Sequence, residues 1–480
     1  APEAIDALRL SLVCTLAATA LSMLLGMPLA WVLARARFPG RAVLRGVVLL
    51  PLVLPPVVGG VALLSAFSRT GLIGQRLYDW FGIQLTFSTA GVVLAATFVA
   101  MPFFVITAEA ALRAVDQRFE EVSSTLGAGP WTTFRRVTLP SIAPAVGAGA
   151  VLAGARALGE FGATITFAGN IVGRTQTLPL AIYMALQGDV NVAIGLSLVL
   201  LAVSLVVMVV AMRDRWRPDD APADAPAAAS AEAPAPSRTW VPAAQTVASQ
   251  SDIVSSSPVV GSSLLAGSSR APSEPTSASI ELRLGALELS AELAVGPGEV
   301  LAVIGPNGSG KSTLLRCLAG LQAVDAGRVV VGGELVDDAS SGAFVWPEDR
   351  NVGVLFQDDL LFPHMDLLDN VAYGPLARGA STSDAAAAAD VWLERVGVGA
   401  HRRSRPRQVS GGQAQRAALA RALVTEPDLL LLDEPLSALD AATRVTLRRE
   451  LREHLGGFGG ATVLVTHDAL DALALADRVV

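Results

Sequence analysis

Residues 305–313 read GPNGSGKST, and this segment follows an apolar stretch, EVLAVIG (299–305), and opens a helix-forming one. It fits the pattern Gly-x-x-x-x-Gly-Lys-Ser/Thr, in which glycines let backbone N–H groups and a helix N-terminus surround phosphate. Lys311 is the only lysine among the 36 Lys and Arg residues of the chain. A compact ammonium fits a loop folded closely around phosphate, whereas a guanidinium is planar and wider. The segment therefore predicts a phosphate-binding loop in which arginine cannot replace the lysine.

Two segments beyond this loop carry residues that suit nucleotide hydrolysis. LLLLDEP (429–435) reads as an apolar strand ending in Asp433, placed to hold Mg²⁺, and Glu434, placed to polarise an attacking water. VSGGQ (409–413) opens a helical run and predicts a second anion-binding helix N-terminus.

Other polar residues stand at the ends of apolar runs in the same half. Gln357 follows VGVLF, His467 ends TVLVTH, and SALD (437–440) follows the two carboxylates. These runs, together with EVLAVIG, RVVVGG and LLLLD, alternate with helical stretches, which predicts a parallel α/β sheet.

The composition divides the chain into a membrane half and a soluble half. Of its 480 residues, 52% are hydrophobic and 16% charged, and the mean hydropathy is +0.51. The net charge of −7, with no basic cluster, argues against a nucleic-acid partner. Two cysteines and four histidines stand without metal-ligand spacing. Apolar runs of spanning length predict about five spans, at 8–34, 46–67, 89–112, 138–158 and 190–212.

Loop charge orients these spans. Arginines cluster in the first connection, in the third connection and after the fifth run, which places all three on the cytoplasmic side. The N-terminus is then expected outside, with everything after residue 213 inside. LPLVLPPVVGG (50–60) interrupts the second run with Pro and Gly. Such a break indicates either a transport pathway or a packing kink.

The predicted domains are an all-α transmembrane permease, an Ala/Pro/Ser-rich flexible linker and an α/β ATPase. Val480 falls where a strand is expected to begin, so the ATPase domain is expected to be C-terminally incomplete. The predicted bounds are 1–217, 218–278 and 279–480.

Residues 280–480 resemble an ABC transporter ATPase domain on the motifs above. The resemblance implies that two such domains sandwich two ATP molecules with Mg²⁺, each between one phosphate loop and the partner's signature. No aromatic residue occurs between 280 and 310, where the family often stacks one on adenine. Phosphates would be bound by Gly305, Pro306, Asn307, Gly308, Ser309, Gly310, Lys311, Ser312 and Thr313, and nucleotide also by the signature Ser410, Gly411, Gly412 and Gln413 and by Asp440. Mg²⁺ would be held by Ser312, Gln357 and Asp433, and catalysis would involve Glu434, the coupling-loop Gln357 and the switch histidine His467.

The third connection, EVSSTLGAGPWTTFRRVTLP (121–140), resembles the cytoplasmic coupling loop of ABC importer permeases. Val122 and Ser123 replace the two alanines of the usual Glu-Ala-Ala. The resemblance predicts a short helix ending near Gly127 that docks on the ATPase beside Gln357 and residues 362–366. The alternative is an ordinary amphipathic connector. The matching positions are Glu121, Gly127, Val137, Leu139 and Pro140.

Nearly all of residues 3–212 look like the molybdate permease, on LPLVLPPVVGG, TGLIGQRLYDWFGI (70–83) and ARALGEFGATITFAGN (155–170). The related sulfate and tungstate permeases share this outline. Arg156 and Glu160 stand four apart on a predicted helix, and the pair is either structural or presents Arg156 to an anion.

The expected protein is a half-transporter of the cytoplasmic membrane that dimerises with a second copy and imports an oxyanion, with molybdate favoured over sulfate, thiosulfate or tungstate. The oxyanion would be delivered by a periplasmic or lipid-anchored binding protein. An ABC exporter and a non-transporting ABC membrane machine are the rival functions. The coupling-loop match opposes the exporter, and the match to anion permeases opposes the non-transporting machine.

Overall fold

The structure is a computed structural model, which describes residues 2–213, 274–285, 287–306, 308–437 and 441–480. Most of the predicted linker, 218–278, lies outside the described residues, and so do two predicted site residues, Asn307 and Asp440. The helical part and the nucleotide-binding part belong to one compact unit.

The membrane half consists of helices. Four helical stretches of the described chain have the length and composition to cross a membrane: Glu3–Arg35, Thr89–Ala114, Pro130–Leu158 and Val190–Val209. A five-residue π-helical segment, Phe134–Thr138, joins α7 to α8. The helices are α1 (Pro2–Arg35), α2 (Arg41–Val53), α3 (Pro56–Phe67), α4 (Gly74–Phe81), α5 (Thr89–Ala114), α6 (Arg118–Thr125), α7 (Pro130–Thr133), α8 (Leu139–Leu158), α9 (Gly162–Phe167), α10 (Leu178–Leu186) and α11 (Val190–Arg213).

The predicted second span is not one helix. Its residues form α2 and α3, separated at Leu54, whose backbone is extended with ψ of 135°. Proline at the next position disfavours the helical region for the residue before it, so the chain leaves the helix there. The predicted span of 46–67 is therefore corrected to two shorter helices.

Helix α5 is central in the membrane half, where it packs against both α1 and α8. Their shared core contains many alanines, and such small residues let helix backbones approach closely. Fully buried examples are Ala18, Ala30, Ala100, Ala108 and Ala153.

The nucleotide-binding half begins at Thr276, slightly before the predicted boundary at 279. Its strands form two sheets, an antiparallel one of order β2-β1-β4-β5-β6 and a parallel one of order β10-β3-β9-β8-β7. The strands are β1 (Thr276–Leu284), β2 (Leu287–Val295), β3 (Val300–Ile304), β4 (Ala326–Val331), β5 (Glu334–Asp338), β6 (Ala343–Phe344), β7 (Val352–Leu355), β8 (Leu429–Asp433), β9 (Ala461–Thr466) and β10 (Arg478–Val479). The helices are α12 (Lys311–Leu318), α13 (Leu367–Ala377), α14 (Thr382–Arg395), α15 (Gly411–Leu423), α16 (Ala441–Gly456) and α17 (Ala469–Leu475).

The parallel sheet was predicted from five apolar runs, and four of them lie in it as β3, β7, β8 and β9. RVVVGG (328–333) instead lies in the antiparallel sheet as β4. Gly332 and Gly333 both have positive φ, 54° and 83°, and turn the chain directly back into β5. A hairpin joins antiparallel strands, whereas parallel strands need a crossover, so the prediction for this run was wrong.

Alternate residues of the parallel strands face two different hydrophobic cores. On β8, Leu430 and Leu432 pack in the core that includes α13, α14 and α15. Leu429 and Leu431 pack in the core that includes α12 and the antiparallel sheet. All four leucines are fully buried. The sheet is thereby fixed between two layers, which holds the carboxyl ends of its strands at one edge.

Candidate functional site

The phosphate loop follows β3 and enters α12. Gly308 and Gly310 have φ of 82° and 95°, values that glycine adopts without the penalty of a side chain. The Lys311 ammonium donates hydrogen bonds to the carbonyls of Gly305 at 2.8 Å and Pro306 at 2.9 Å. The lysine thus reaches back across its own loop, and a larger cationic head would have to displace these backbone groups.

The adjoining strand ends bring two polar side chains, those of Gln357 and His467, to Glu434. Its carboxylate accepts a hydrogen bond from Gln357 Nε2 at 3.2 Å and lies 3.1 Å from His467 Nδ1. Glu434 has φ of 48°, a left-handed conformation that is rare for a residue with a side chain and recurs at functional sites. The parallel register therefore assembles residues that are distant in sequence around one carboxylate.

A cation site beside the phosphate loop is chemically reasonable. Ser312 Oγ lies 3.4 Å from Asp433 Oδ1, and both residues line one open cavity together with Gln357. Burial raises the pKa of Asp433 above its ordinary value, which favours the protonated carboxyl. A bound cation would act in the opposite direction and favour the carboxylate. Hydroxyl, amide and carboxylate oxygens are ligands that Mg²⁺ accepts, commonly together with phosphate oxygens.

The predicted signature lies at the start of α15. Ser410 caps this helix, since its hydroxyl accepts from Gln413 N–H and Gln413 Oε1 accepts from Ser410 N–H. Gln413 is also held by His401, with 3.0 Å between Nε2 atoms. Ser410 and Gly411 are exposed, and no hydrogen bond joins residues 410–413 to the phosphate loop in the part of the chain that the structure describes.

The third connection forms the predicted short helix, α6, and this helix contacts the nucleotide-binding half. Glu121 receives two hydrogen bonds from Arg316 of α12, Nη1 to Oε2 and Nη2 to Oε1, each of 2.8 Å. The Glu121 carboxylate raises the pKa of Arg316. Arg118 forms a further ion pair with Asp358. The bidentate pair joins α6 to the helix that begins at Lys311.

Apolar and hydroxyl contacts complete this interface. Val122 and Leu126 pack with Leu360, Phe362 and Tyr373 in one buried cluster. Ser123, at the position where the importer family usually has alanine, is fully buried.

The Ser123 hydroxyl lies 2.8 Å from both Tyr373 Oη and Thr133 Oγ1. A buried hydroxyl needs hydrogen-bond partners. Serine in place of alanine is therefore accommodated by Thr133 on one side of the interface and Tyr373 on the other.

The other matched coupling-loop residues divide between the two halves. Gly127 has φ of 95° and lies against the Arg378 side chain at the end of α13. Leu139 and Pro140 begin α8, and Leu139 packs with the membrane core. The later part of the loop also contacts the nucleotide-binding half, since the Arg136 carbonyl lies 2.8 Å from His364 Nε2 and Val137 belongs to the buried cluster around Phe362.

Two contacts at or beside this interface were not predicted from the sequence. Arg316 was not recognised as the partner of Glu121, because the two are far apart along the chain. Arg421, at the end of α15, is buried and donates to the carbonyls of Asp359 at 2.8 Å and Leu360 at 2.9 Å.

Asp359 and Leu360 both have positive φ, 56° and 45°. The guanidinium of Arg421 thus stabilises a strained turn, and Leu360 of this turn packs against Val122 and Leu126. In the sequence, this contact is indicated only by the presence of an arginine among the apolar residues of α15.

Comparison with known families assigns both halves of the chain. Residues 23–217 match the family described as binding-protein-dependent transport system inner membrane component. Residues 290–437 match the ABC transporter family. The first match begins within α1 and covers the remaining membrane helices and α6. The second begins in β2 and extends past the Asp433–Glu434 pair.

Individual relatives fall into the same two groups. The molybdenum transport system permease protein ModB of Mycobacterium tuberculosis is 55% identical over 202 residues, which are 42% of this chain and 75% of that protein. The molybdenum import ATP-binding protein ModC of the same organism is 50% identical over 195 residues, 40% of this chain and 53% of that protein. The Fe(3+) ions import ATP-binding protein FbpC of Streptomyces coelicolor is 51% identical over 189 residues, 39% of this chain and 52% of that protein. The chain thus spans about half the length of these two ATP-binding relatives.

Proposed function

The chain belongs to the ABC transporter family as a binding-protein-dependent permease fused to its ATPase, and we propose that it imports molybdate. It is a multi-pass protein of the inner membrane whose ATPase lies on the cytoplasmic side and couples ATP hydrolysis to transport. The ATP-binding relatives include both a molybdenum and an iron importer at nearly equal identity. The choice of molybdate therefore depends on the membrane half.

The observation that carries the proposed coupling of hydrolysis to import is the docking of α6 on α12 within one chain, whereas the assignment of molybdate is supported by the permease relative. Glu121 belongs to the membrane half, and its partner Arg316 lies on the helix that starts at the phosphate-loop lysine. A change in the phosphate loop would move α12, and α6 would follow because two parallel hydrogen bonds fix its direction as well as its distance. Hydrolysis and the opening of the membrane path are thereby linked mechanically.

In the proposed hydrolysis, Glu434 orients and polarises the attacking water, and Gln357 and His467 hold its carboxylate in place. The phosphate loop and Lys311 bind the phosphates of ATP. Mg²⁺ would be held by Ser312, Gln357 and Asp433 and would supply positive charge to the phosphate oxygens. The protein forms no covalent bond to the phosphate in this proposal, so the rate of hydrolysis depends on how the water and the phosphate are positioned.

The exposed signature supports a dimer of two copies. Ser410 and Gly411 present the N-terminus of α15 to solvent, which is a site for anions. In the proposed dimer, the signature of one copy closes over the ATP on the phosphate loop of the other. An external oxyanion-binding protein would dock on the membrane half and deliver the substrate.

Reconstituted uptake tests this function directly. The full chain in proteoliposomes, with its ATPase side accessible to ATP, is supplied in the lumen with a binding protein loaded with molybdate, tungstate, sulfate or Fe³⁺ in turn. We expect ATP-dependent release of molybdate to the ATPase side and the largest ATPase stimulation with molybdate. Preference for another ion would reassign the substrate, outward pumping would indicate an exporter, and hydrolysis without movement of any ion would contradict transport.

Removing one partner of the Glu121–Arg316 pair should weaken coupling. We expect Glu121→Gln and Arg316→Gln each to lower uptake about fivefold, since a charge-assisted bidentate contact is lost. The double variant should be no worse than either single variant, because both remove the same contact. Uptake and binding-protein-stimulated ATPase are the measurements.

Glu288→Gln serves as a control, because Glu288 forms an exposed ion pair with Arg283 away from α6. Additive losses in the double variant would show that Glu121 and Arg316 act independently.

Gly127 should tolerate no large side chain. A Cβ there would lie 2.8 Å from Arg378 Cγ, and φ of 95° is unfavourable for any residue but glycine. We expect Gly127→Leu to leave nucleotide binding intact but to lower uptake about fivefold, as hydrolysis is uncoupled from transport. Transport and ATPase activity are measured in the same vesicles.

Gly129→Leu is the matched control, because Gly129 has φ of −63° and a Cβ at this position would meet no neighbouring atom within 4 Å. Equal behaviour of the two leucine variants would reduce the loop to a simple connector.

A further inference from the structure

An ion pair within the membrane half is not used by the coupling described above. Arg156 lies in the last turn of α8, inside the apolar stretch Pro130–Leu158. Its partner Glu160 follows the end of that helix, and the Glu160 side chain is only 2% exposed. Charged side chains at membrane depth are costly, so their retention usually marks an ion or substrate pathway.

The geometry holds the carboxylate but leaves much of the guanidinium available. Glu160 Oε1 accepts a hydrogen bond from Ala163 N–H at 2.8 Å, and Glu160 Oε2 lies 2.7 Å from Arg156 Nη1. The Arg156 side chain is 29% exposed. Arginine has five N–H donors, and Glu160 is the sole ion-pair partner of Arg156 among the described residues. Remaining donors cannot face lipid without a large penalty, so they require water, an anion or another protein surface.

A second Arg–Glu pair at the same spacing shows the contrast. Glu109 of α5 is also buried, but it pairs with two arginines, Arg113 at 2.5 Å and Arg45 at 3.4 Å. Arg113 additionally donates to the carbonyl of Leu33 at 3.2 Å. That cluster connects α1, α2 and α5, and this structural role accounts for its charged residues. The Arg156 guanidinium differs from this cluster, because it has one ion-pair partner among the described residues, Glu160, which itself accepts from Ala163 N–H at the start of α9.

The pair also stands where two interrupted helices meet. The chain leaves α8 at Leu158 and re-enters a helix at Gly162, and α9 packs against α3, which follows the break at Leu54. A Cβ on Gly162 would lie 2.9 Å from Pro56 Cβ, so the two breaks approach closely. Interrupted membrane helices that meet in this way commonly border a substrate site, because their irregular backbone needs a polar cavity.

We propose that Arg156, oriented by Glu160, is the contact for a tetrahedral oxyanion as it crosses the membrane half. The guanidinium fork matches two oxygens of such an anion. The neighbouring carboxylate keeps the site from holding the anion tightly, which suits a transit site that must also release its ion. This inference rests on the proposed oxyanion import.

The test compares the removal of one charge with the removal of both. Arg156→Gln, Arg156→Lys and the neutral pair Arg156→Gln/Glu160→Gln are reconstituted with binding protein loaded with molybdate. We expect uptake to fall about tenfold or more in Arg156→Gln and to stay equally low in the neutral pair, while loaded binding protein still stimulates ATPase. Arg156→Lys should retain more uptake than Arg156→Gln because the charge remains. Arg9→Gln, which removes an exposed arginine of α1, should transport normally.

A structural ion pair gives a different pattern. Recovery of uptake in the neutral pair would overturn the proposal, because two amides would restore packing but not attract an anion. Normal uptake by Arg156→Gln would overturn it too, as would failure of both variants to insert in the membrane. If the unmodified chain moves no oxyanion, the proposed function itself is wrong. If the unmodified chain imports the oxyanion and the Arg156 variants import it equally well, only the proposed role of Arg156 is wrong.

Discussion

Glu434→Gln should slow ATP hydrolysis about 100-fold or more while leaving nucleotide binding and dimer closure intact. Glutamine keeps the shape of the side chain and can still contact Gln357 and His467, which lie 3.2 and 3.1 Å from the carboxylate. It lacks the negative charge that polarises the attacking water. Single-turnover hydrolysis and nucleotide affinity, measured on the same preparation, separate these two effects.

The control for this substitution is Glu453→Gln, which makes the same chemical change at an exposed position of α16. Its turnover should equal that of the unmodified chain. Near-normal hydrolysis by Glu434→Gln would remove Glu434 from the mechanism and direct attention to His467. A loss of nucleotide affinity equal to the loss of turnover would instead assign Glu434 to binding.

Lys311→Arg should be nearly as harmful as Lys311→Ala, with ATPase activity and transport each lowered about tenfold or more and nucleotide bound more weakly. The ammonium lies 2.8 and 2.9 Å from two carbonyls of its own loop, so the space available to it is set by backbone. A guanidinium is planar and wider, and it would push the phosphates away from the loop amides. Folding and membrane insertion should survive.

Arg328→Lys is the matched exchange in the reverse direction, at an exposed position of β4. It should have no effect, which would show that the two cations are interchangeable where no pocket confines them. Wild-type hydrolysis by Lys311→Arg would falsify the geometric explanation and leave only the positive charge as the requirement.

Local patterns were sufficient where the chemistry depends on neighbouring residues. The phosphate loop needs glycines, one lysine and a hydroxyl in a short run, so its nine residues could be predicted without a structure. Asp433 and Glu434 end an apolar strand, and the carboxyl ends of parallel strands share one edge. The helical character of residues 3–212 followed in the same way, because spanning helices need long apolar runs.

Even local patterns failed where the partner of a segment decides its structure. The run at 328–333 reads as one more strand of a parallel sheet, and only the hairpin at Gly332 and Gly333 places it in the antiparallel sheet. The second apolar run is long enough for a span, yet its prolines divide it into α2 and α3.

The sequence by itself determined the two kinds of domain and the short helix α6, and it predicted the residues of the nucleotide chemistry, since each of these depends on residues that are close together in the chain. The tertiary structure alone decided which groups meet. Arg316 and Glu121 are 195 residues apart in sequence, and Ser123 and Tyr373 are 250 apart. Such pairs depend on how the two domains pack, and no local periodicity records the partner of a side chain across that interface.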